Sequence, residues 1–238
     1  MLYNTKNILD NKIQAIDGEI GNLDDFYFDD QSWGIRYMVV DTGNWIEGRK
    51  VLLSPVVIQN PDISNKYIMV NLTKDQIRNS PDIDTKRPVS QQYQPDYIWP
   101  AYGVGAVTPM MIDPGRVSEN KDPYTNSGDP HLRSADEVFG YDISALDGEI
   151  GHIDDMIIDD DTWNIHFWVV KTKNWLPGKK VLISPQWITF ISWEDKKVFV
   201  DATVDSIKNS PEYDPSRPFE LEYESELNSY YGRTRMNS

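Results

Sequence analysis

The chain has 238 residues, no cysteine and a formal net charge of −15. Disulfides, thiolate nucleophiles and Cys-ligated metal centres are excluded. Nucleic acid and anionic membrane surfaces are disfavoured as partners, because both attract clustered Lys and Arg. The longest apolar runs, such as Val51–Leu53, fall far short of the about 20 residues that cross a bilayer. The N-terminus has no basic region followed by an apolar run, so a soluble, cytoplasmic protein without a secretory signal is expected.

In chain order, the first clear signal is Asp17-Gly18 between short apolar stretches, which reads as a tight hairpin turn. A strand through Phe26-Tyr27-Phe28 follows. Then come the polar turn Asp29-Asp30-Gln31-Ser32 and a strand over Ile35–Val40, rich in β-branched and aromatic residues. A loop with Asn44-Trp45 and Gly48 leads to the strand Val51–Leu53, which ends at Ser54-Pro55. A further strand covers Tyr67–Val70. Thr73-Lys74-Asp75-Gln76 has the spacing of a capping box and starts a short helix. That helix should stop near Pro81.

The same series then returns at an offset of about 130 residues, with roughly half of the aligned positions identical. Asp147-Gly148-Glu149-Ile150-Gly151 repeats Asp17-Gly18-Glu19-Ile20-Gly21, and Trp163 repeats Trp33. Asn174-Trp175, Ser184-Pro185, Asn209-Ser210-Pro211 and Arg217-Pro218 all have counterparts in the first half. After one slip, Tyr231-Gly232 matches Tyr102-Gly103. Thr203-Val204-Asp205-Ser206 keeps the helix cap and the acid but not the Gln. The tail Phe219–Tyr231 reads as a second helix, whereas Val89–Tyr102 carries Pro95 and Pro100 and should be broken. Between the copies, 104–130 is rich in Pro, Gly, Asn, Ser and Asp. It is a connector lying on one module or a mobile tether. The expected units are therefore 1–103, a linker over 104–130, and 131–238. The fold class is mainly β with short helices, as two small barrels or sandwiches. Each has about 95 residues, enough to bury a core without metal or disulfide.

No catalytic constellation is visible. Asp24, Asp25, Asp154 and Asp155, with the Asp-rich turns that follow them, are candidates for a hard cation. The alternative is turn chemistry and edge-strand charge. They lack the spacing and central Gly of an EF-hand loop. His131, His152 and His166 have no His counterparts in the first copy, which argues against a built-in metal or acid–base site. Ser54 and Ser184 precede Pro and belong to no nucleophile elbow. The Glu19/Asp24 and Glu149/Asp154 pairs would need a sugar-sized cleft to act as a glycosidase. No phosphate loop or dinucleotide fingerprint occurs, and no cofactor is expected. Trp33 and Trp163 read as core or barrel-end packing. Trp45 and Trp175 cap the barrel or anchor an interface, and Tyr102 and Tyr231 join them as interface candidates.

The string Asp147 to Asp155, the Asp-Asp-x-[Ser/Thr]-Trp turn, Asn-Trp-x-x-Gly-[Arg/Lys]-Lys-Val-Leu and the Ser-Pro pair together resemble the PRC-barrel family. His131–Ser134 before the second copy and the Asn-Ser-Pro after each short helix are similar to a subgroup of bacterial tandem proteins. The resemblance covers nearly the whole chain outside the linker. It implies a compact, twisted β-barrel in each half, related by a pseudo-two-fold. The family includes the cytoplasmic domain of the purple-bacterial reaction-centre H subunit and the second domain of a ribosome-maturation factor. Both dock onto larger assemblies, and neither supplies catalytic residues that map here. The implied function is a non-enzymatic adaptor with a protein partner, and the chain is a candidate homo-oligomer; within the chain, equivalent patches of the two copies are expected to meet. A photosynthetic accessory role in electron transport and a metal-dependent hydrolase using the acidic cluster are the alternatives.

Overall fold

The computed structural model describes residues 1–46, 48–62, 66–79, 129–173, 179–216 and 221–231. The first half contains β1 (Leu2–Asn4), α1 (Thr5–Ile8), β2 (Lys12–Ala15), β3 (Gly18–Asp29) and β4 (Ile35–Asp41). It continues with β5 (Lys50–Leu53), β6 (Ile58–Asp62), β7 (Tyr67–Val70) and α2 (Lys74–Arg78). The second half repeats the series as β8 (Leu132–Ser134), α3 (Ala135–Val138), β9 (Asp142–Ala145), β10 (Gly148–Asp159) and β11 (Ile165–Thr172). It closes with β12 (Lys180–Ile183), β13 (Ile188–Ser192), β14 (Lys197–Val200), α4 (Val204–Lys208) and α5 (Leu221–Tyr231).

Each half builds one sheet, in the orders β5-β4-β3-β2-β7-β6 and β12-β11-β10-β9-β14-β13. The β2–β7 and β9–β14 pairs are parallel and the others antiparallel. The seventh strand of each sheet comes from the other half. β1 pairs with β10, Leu2 opposite Asp159, and β8 pairs with β3, Leu132 opposite Asp29. The two barrels are thus joined by reciprocal exchange of their N-terminal arms. At the centre of the exchange the Ile35 N–H donates to the Trp163 carbonyl at 2.7 Å and the Ile165 N–H to the Trp33 carbonyl at 2.8 Å. A pseudo-two-fold relates the halves at this point, where Gly34 faces Asn164.

The long strands explain themselves. β3 and β10 each carry a one-residue bulge, at Asp24 and Asp154, which shifts the alternation of side chains. Before Asp24 the buried residues of β3 are Ile20 and Leu23. After it, Asp25 to Phe28 are all buried, because the exchanged arm covers the outer face. Leu132 closes over Tyr27, Val39 and Leu52. Its burial contributes about 1.5–3 kcal/mol. On the second barrel, Leu2 and Tyr213 cover Ile157, Phe167 and Val169, with Tyr223 and Leu227 of α5. That is the role of the tail helix.

Two local readings are corrected. The hairpin turn is Ile16-Asp17, since Ala15 pairs directly with Gly18. Asp17 and Asp147 leave the turn to accept the Lys74 and Val204 N–H at 2.8 and 2.7 Å, which ties each hairpin to the first turn of the following helix. The second capping box is complete without a Gln. Ser206 accepts the Thr203 N–H through its hydroxyl at 3.1 Å, because a hydroxyl one turn on reaches the same donor. The linker up to residue 128, and the expected irregular segment Val89–Tyr102, lie outside the described residues.

Gly151 lets β10 approach the β11 end. A Cβ there would stand 2.0 Å from the Lys171 carbonyl oxygen. Gly151→Ala should therefore destabilise the chain by about 3 kcal/mol or more in denaturant titration. A specific protease site inserted between 104 and 130 should give two fragments that co-elute in gel filtration and separate only in denaturant, because arm exchange holds them without the linker.

Candidate functional site

The densest polar chemistry lies where each arm enters the opposite barrel. Asp25 is buried beneath the second arm. Its carboxylate accepts the Ser134 hydroxyl at 2.5 Å, the Asp136 N–H at 3.0 Å and the Phe26 N–H at 2.7 Å. Asp155 is its counterpart and accepts the Asn4 amide at 2.9 Å, the Thr5 hydroxyl at 2.7 Å and the Lys6 and Met156 N–H groups. Asn4 in turn accepts the Tyr213 hydroxyl at 2.5 Å, and burial pushes that phenol up to about 12. Burial also pushes Asp25 up to about 6 against the opposing pull of Ser134, Asp136 N–H and Phe26 N–H, with the Asp136 charge adding to the rise.

The other acidic candidates are held in ion pairs. Asp24 meets Lys50 at 2.6 Å. Asp154 meets Lys6 at 3.2 Å and Lys180 at 2.7 Å, and these cations hold it below the usual carboxylate range although burial opposes them. The bulge sends each Asp-Asp pair to opposite destinations, one outward to Lys and one inward to the arm. These four carboxylates are thereby directed away from a common point. Among the described residues, Asp159, Asp160 and Asp161 do converge, and the Met1 ammonium lies against all three. In the first barrel Asp30 receives His131 and Arg133, each at 2.9 Å. His166 meets the buried Glu224 at 3.2 Å.

The turn Asp29–Trp33 is set by Asp29, whose carboxylate accepts the Gln31 and Ser32 N–H groups and the Ser32 hydroxyl. Burial would raise Asp29, but these donors outweigh it and hold it low. The turn throws Trp33 into a left-handed conformation with φ 61° and Trp163 likewise with φ 55°. For a bulky residue this is costly. The offset is inter-repeat packing. Trp33 stacks on Phe28 and meets Trp168 edge-on at 5.5 Å. Trp33 and Trp163 thus pack against the core, as their place after the Asp turn suggests, and this packing spans the seam through Trp168, where the first copy has Met38.

Trp45 packs within its own repeat, with Lys74 and Arg78 over its ring at 5.3 and 5.7 Å. It borders an open cleft of about 340 Å³ lined by Glu19, Asn22, Asp41, Thr42 and Gly43. The equivalent residues of the second copy include His152, Lys171 and Lys173, so the two poles of the molecule carry different charge. Trp175 and Tyr102 lie outside the described residues, and Tyr231 is the last residue of α5. A second open groove lies at the seam of the repeats, between His131, Arg133 and Trp33 on one side and Phe190, Ile191 and Trp193 on the other.

The raised Asp25 gives a signed prediction. Its folded value of about 6 exceeds the unfolded value, so the folded state binds the proton more tightly. Its charged form weakens the fold above about pH 6, and this penalty is relieved as pH falls toward about 4. The full effect is about 3 kcal/mol. Stability of the wild type relative to Asp25→Asn should therefore rise between about pH 7.5 and about pH 5 in urea titrations. A difference that stays flat over that range would contradict it.

Among the described residues no helix is long and apolar enough to cross a membrane. No curated protein matches the chain. The model of the PRC-barrel domain matches residues 3–77 and again 131–207. Each match begins in an exchanged arm and continues through the barrel to the short helix. With both copies matched over more than half of its length, the chain belongs to the PRC-barrel family, as a tandem of two barrels.

Proposed function

We propose that this tandem PRC-barrel protein is a non-enzymatic, cytoplasmic adaptor that docks onto a larger protein complex. The sequence units 1–103 and 131–238, joined by 104–130, act together as one docking body. The observation that carries this reading is the disposition of the candidate chemistry. Asp25 and Asp155 bind the arms, Asp24 and Asp154 bind lysines, and Asp30 binds His131 and Arg133. A reactive carboxylate needs an approachable site with room for substrate, and these groups are engaged within the fold.

The docking face is the pole around Trp45, where a half-buried indole held by two cations borders an open cleft. Large aromatic side chains at such positions dominate binding energy at interfaces. Trp175, Tyr102 and Tyr231 are the further contact residues. The full chain used as bait in lysate of its own source cell should recover a partner in fixed stoichiometry. Trp45→Ala should lower the melting temperature, since the ring packs on the core, and, assayed at a temperature where it is still folded, should weaken that recovery by about tenfold or more. Absence of any stoichiometric partner would count against the adaptor. Full recovery by Trp45→Ala would move the docking face elsewhere.

A further inference from the structure

β6 and β13 are equivalent edge strands, each paired on one side only, with β7 and β14. Pro61 stands opposite Ile68, and Ile191 stands opposite Val198 at the same register. A proline nitrogen carries no proton, so the inner neighbour draws no hydrogen bond from this position. At the matching place in β13 the Ile191 N–H therefore faces the open side, and among the described residues no backbone carbonyl outside the ladder accepts it. Proteins blunt such edges with proline or charge. β6 carries Pro61 and Asp62. β13, with the sequence Ile-Thr-Phe-Ile-Ser, carries neither. Phe190 is 61 % exposed on it, where the first copy has Asn60.

We propose that β13 is a self-association edge, on which a second copy of this chain lays its own β13 antiparallel, two-fold about Phe190. This register sets Phe190 opposite Phe190 and Thr189 opposite Ile191. Aromatic and β-branched residues make favourable cross-strand pairs, and no like charges meet. The Ile191 N–H gains a carbonyl from the second copy. The contact is isologous, so it closes at a dimer. A second copy fits better than a charged partner because the charges bordering the groove, Asp30 with His131 and Arg133, already neutralise one another within the chain. Each chain carries a net charge of −15, so association strengthens as salt screens the repulsion.

The proposal is independent of the adaptor reading, and its test needs no other protein. Sedimentation equilibrium of the full chain, at low and high salt, is compared with Phe190→Asn and Ile191→Pro. Both substitutions install the residue of the first copy at the same register, and melting curves check the fold. Should Ile191→Pro unfold, Phe190→Asn at its exposed position decides. The expected result is a monomer–dimer equilibrium that tightens with salt and weakens about tenfold or more in the variants. A wild type that stays monomeric at every concentration overturns the proposal, and so does a dimer that the folded variants retain.

Discussion

The structure depends on one constraint: the outer face of β3 beyond its bulge, and that of β10, must be covered by the arm of the other repeat. The backbone there has an edge to pair, and the bulge turns Asp25 and Asp155 inward at the same place. An ionised carboxylate buried without donors would be severely unfavourable. The donors come from Ser134 and Asp136 in one direction and from Asn4, Thr5 and Lys6 in the other. Strand pairing, apolar cover by Leu132 and Leu2, and satisfaction of a buried charge are therefore one event. Removing an arm would expose all three needs together.

The seam between the repeats follows from the same exchange. The arms bring the Asp29–Trp33 and Asp159–Trp163 turns face to face, and each turn's carbonyl accepts an N–H from the strand after the other turn. The strained φ of the two tryptophans is tolerated because the surroundings over-determine it. The core residues form one cluster that runs through both barrels, from Ile8 and Phe28 to Trp168 and Ile207. The tandem is accordingly a covalent form of a two-fold dimer.

Duplication also isolates where the copies differ. The arm-entry acids, the bulges, the strained tryptophans and the helix-tying Asp17 and Asp147 recur, so they belong to folding. The copies differ in the core, where Phe28 becomes Ile158 and Met38 becomes Trp168, and also outside it. Asp41 becomes Lys171, Asn22 becomes His152 and Asn60 becomes Phe190. Asp136 stands where Lys6 stands in the other arm, and its like charge adds to the unusual proton affinity of Asp25. A pseudo-symmetric frame thus carries asymmetric faces.

By itself the sequence determined the repeat, the β-rich class, the capped short helices and the family, because each rests on local patterns. The β-branched and aromatic content of Ile35–Val40, the Thr-x-x-Gln box and the Asp-Asp-x-Ser-Trp turn depend on neighbours in the chain. It also showed Asp24-Asp25 and Asp154-Asp155 as recurring acidic pairs, but the division of each pair between a lysine and a buried arm was not legible. A bulge is a property of two strands in register, and burial depends on what covers the residue. Ser206 hid a capping box behind an unfamiliar residue. Only the tertiary structure decided that β1 and β8 change places, since a short strand with few distinguishing side chains pairs with whichever edge the fold presents. The physical reason is that backbone hydrogen bonds carry no sequence identity, so the partner of an arm is set by geometry across more than a hundred residues of chain.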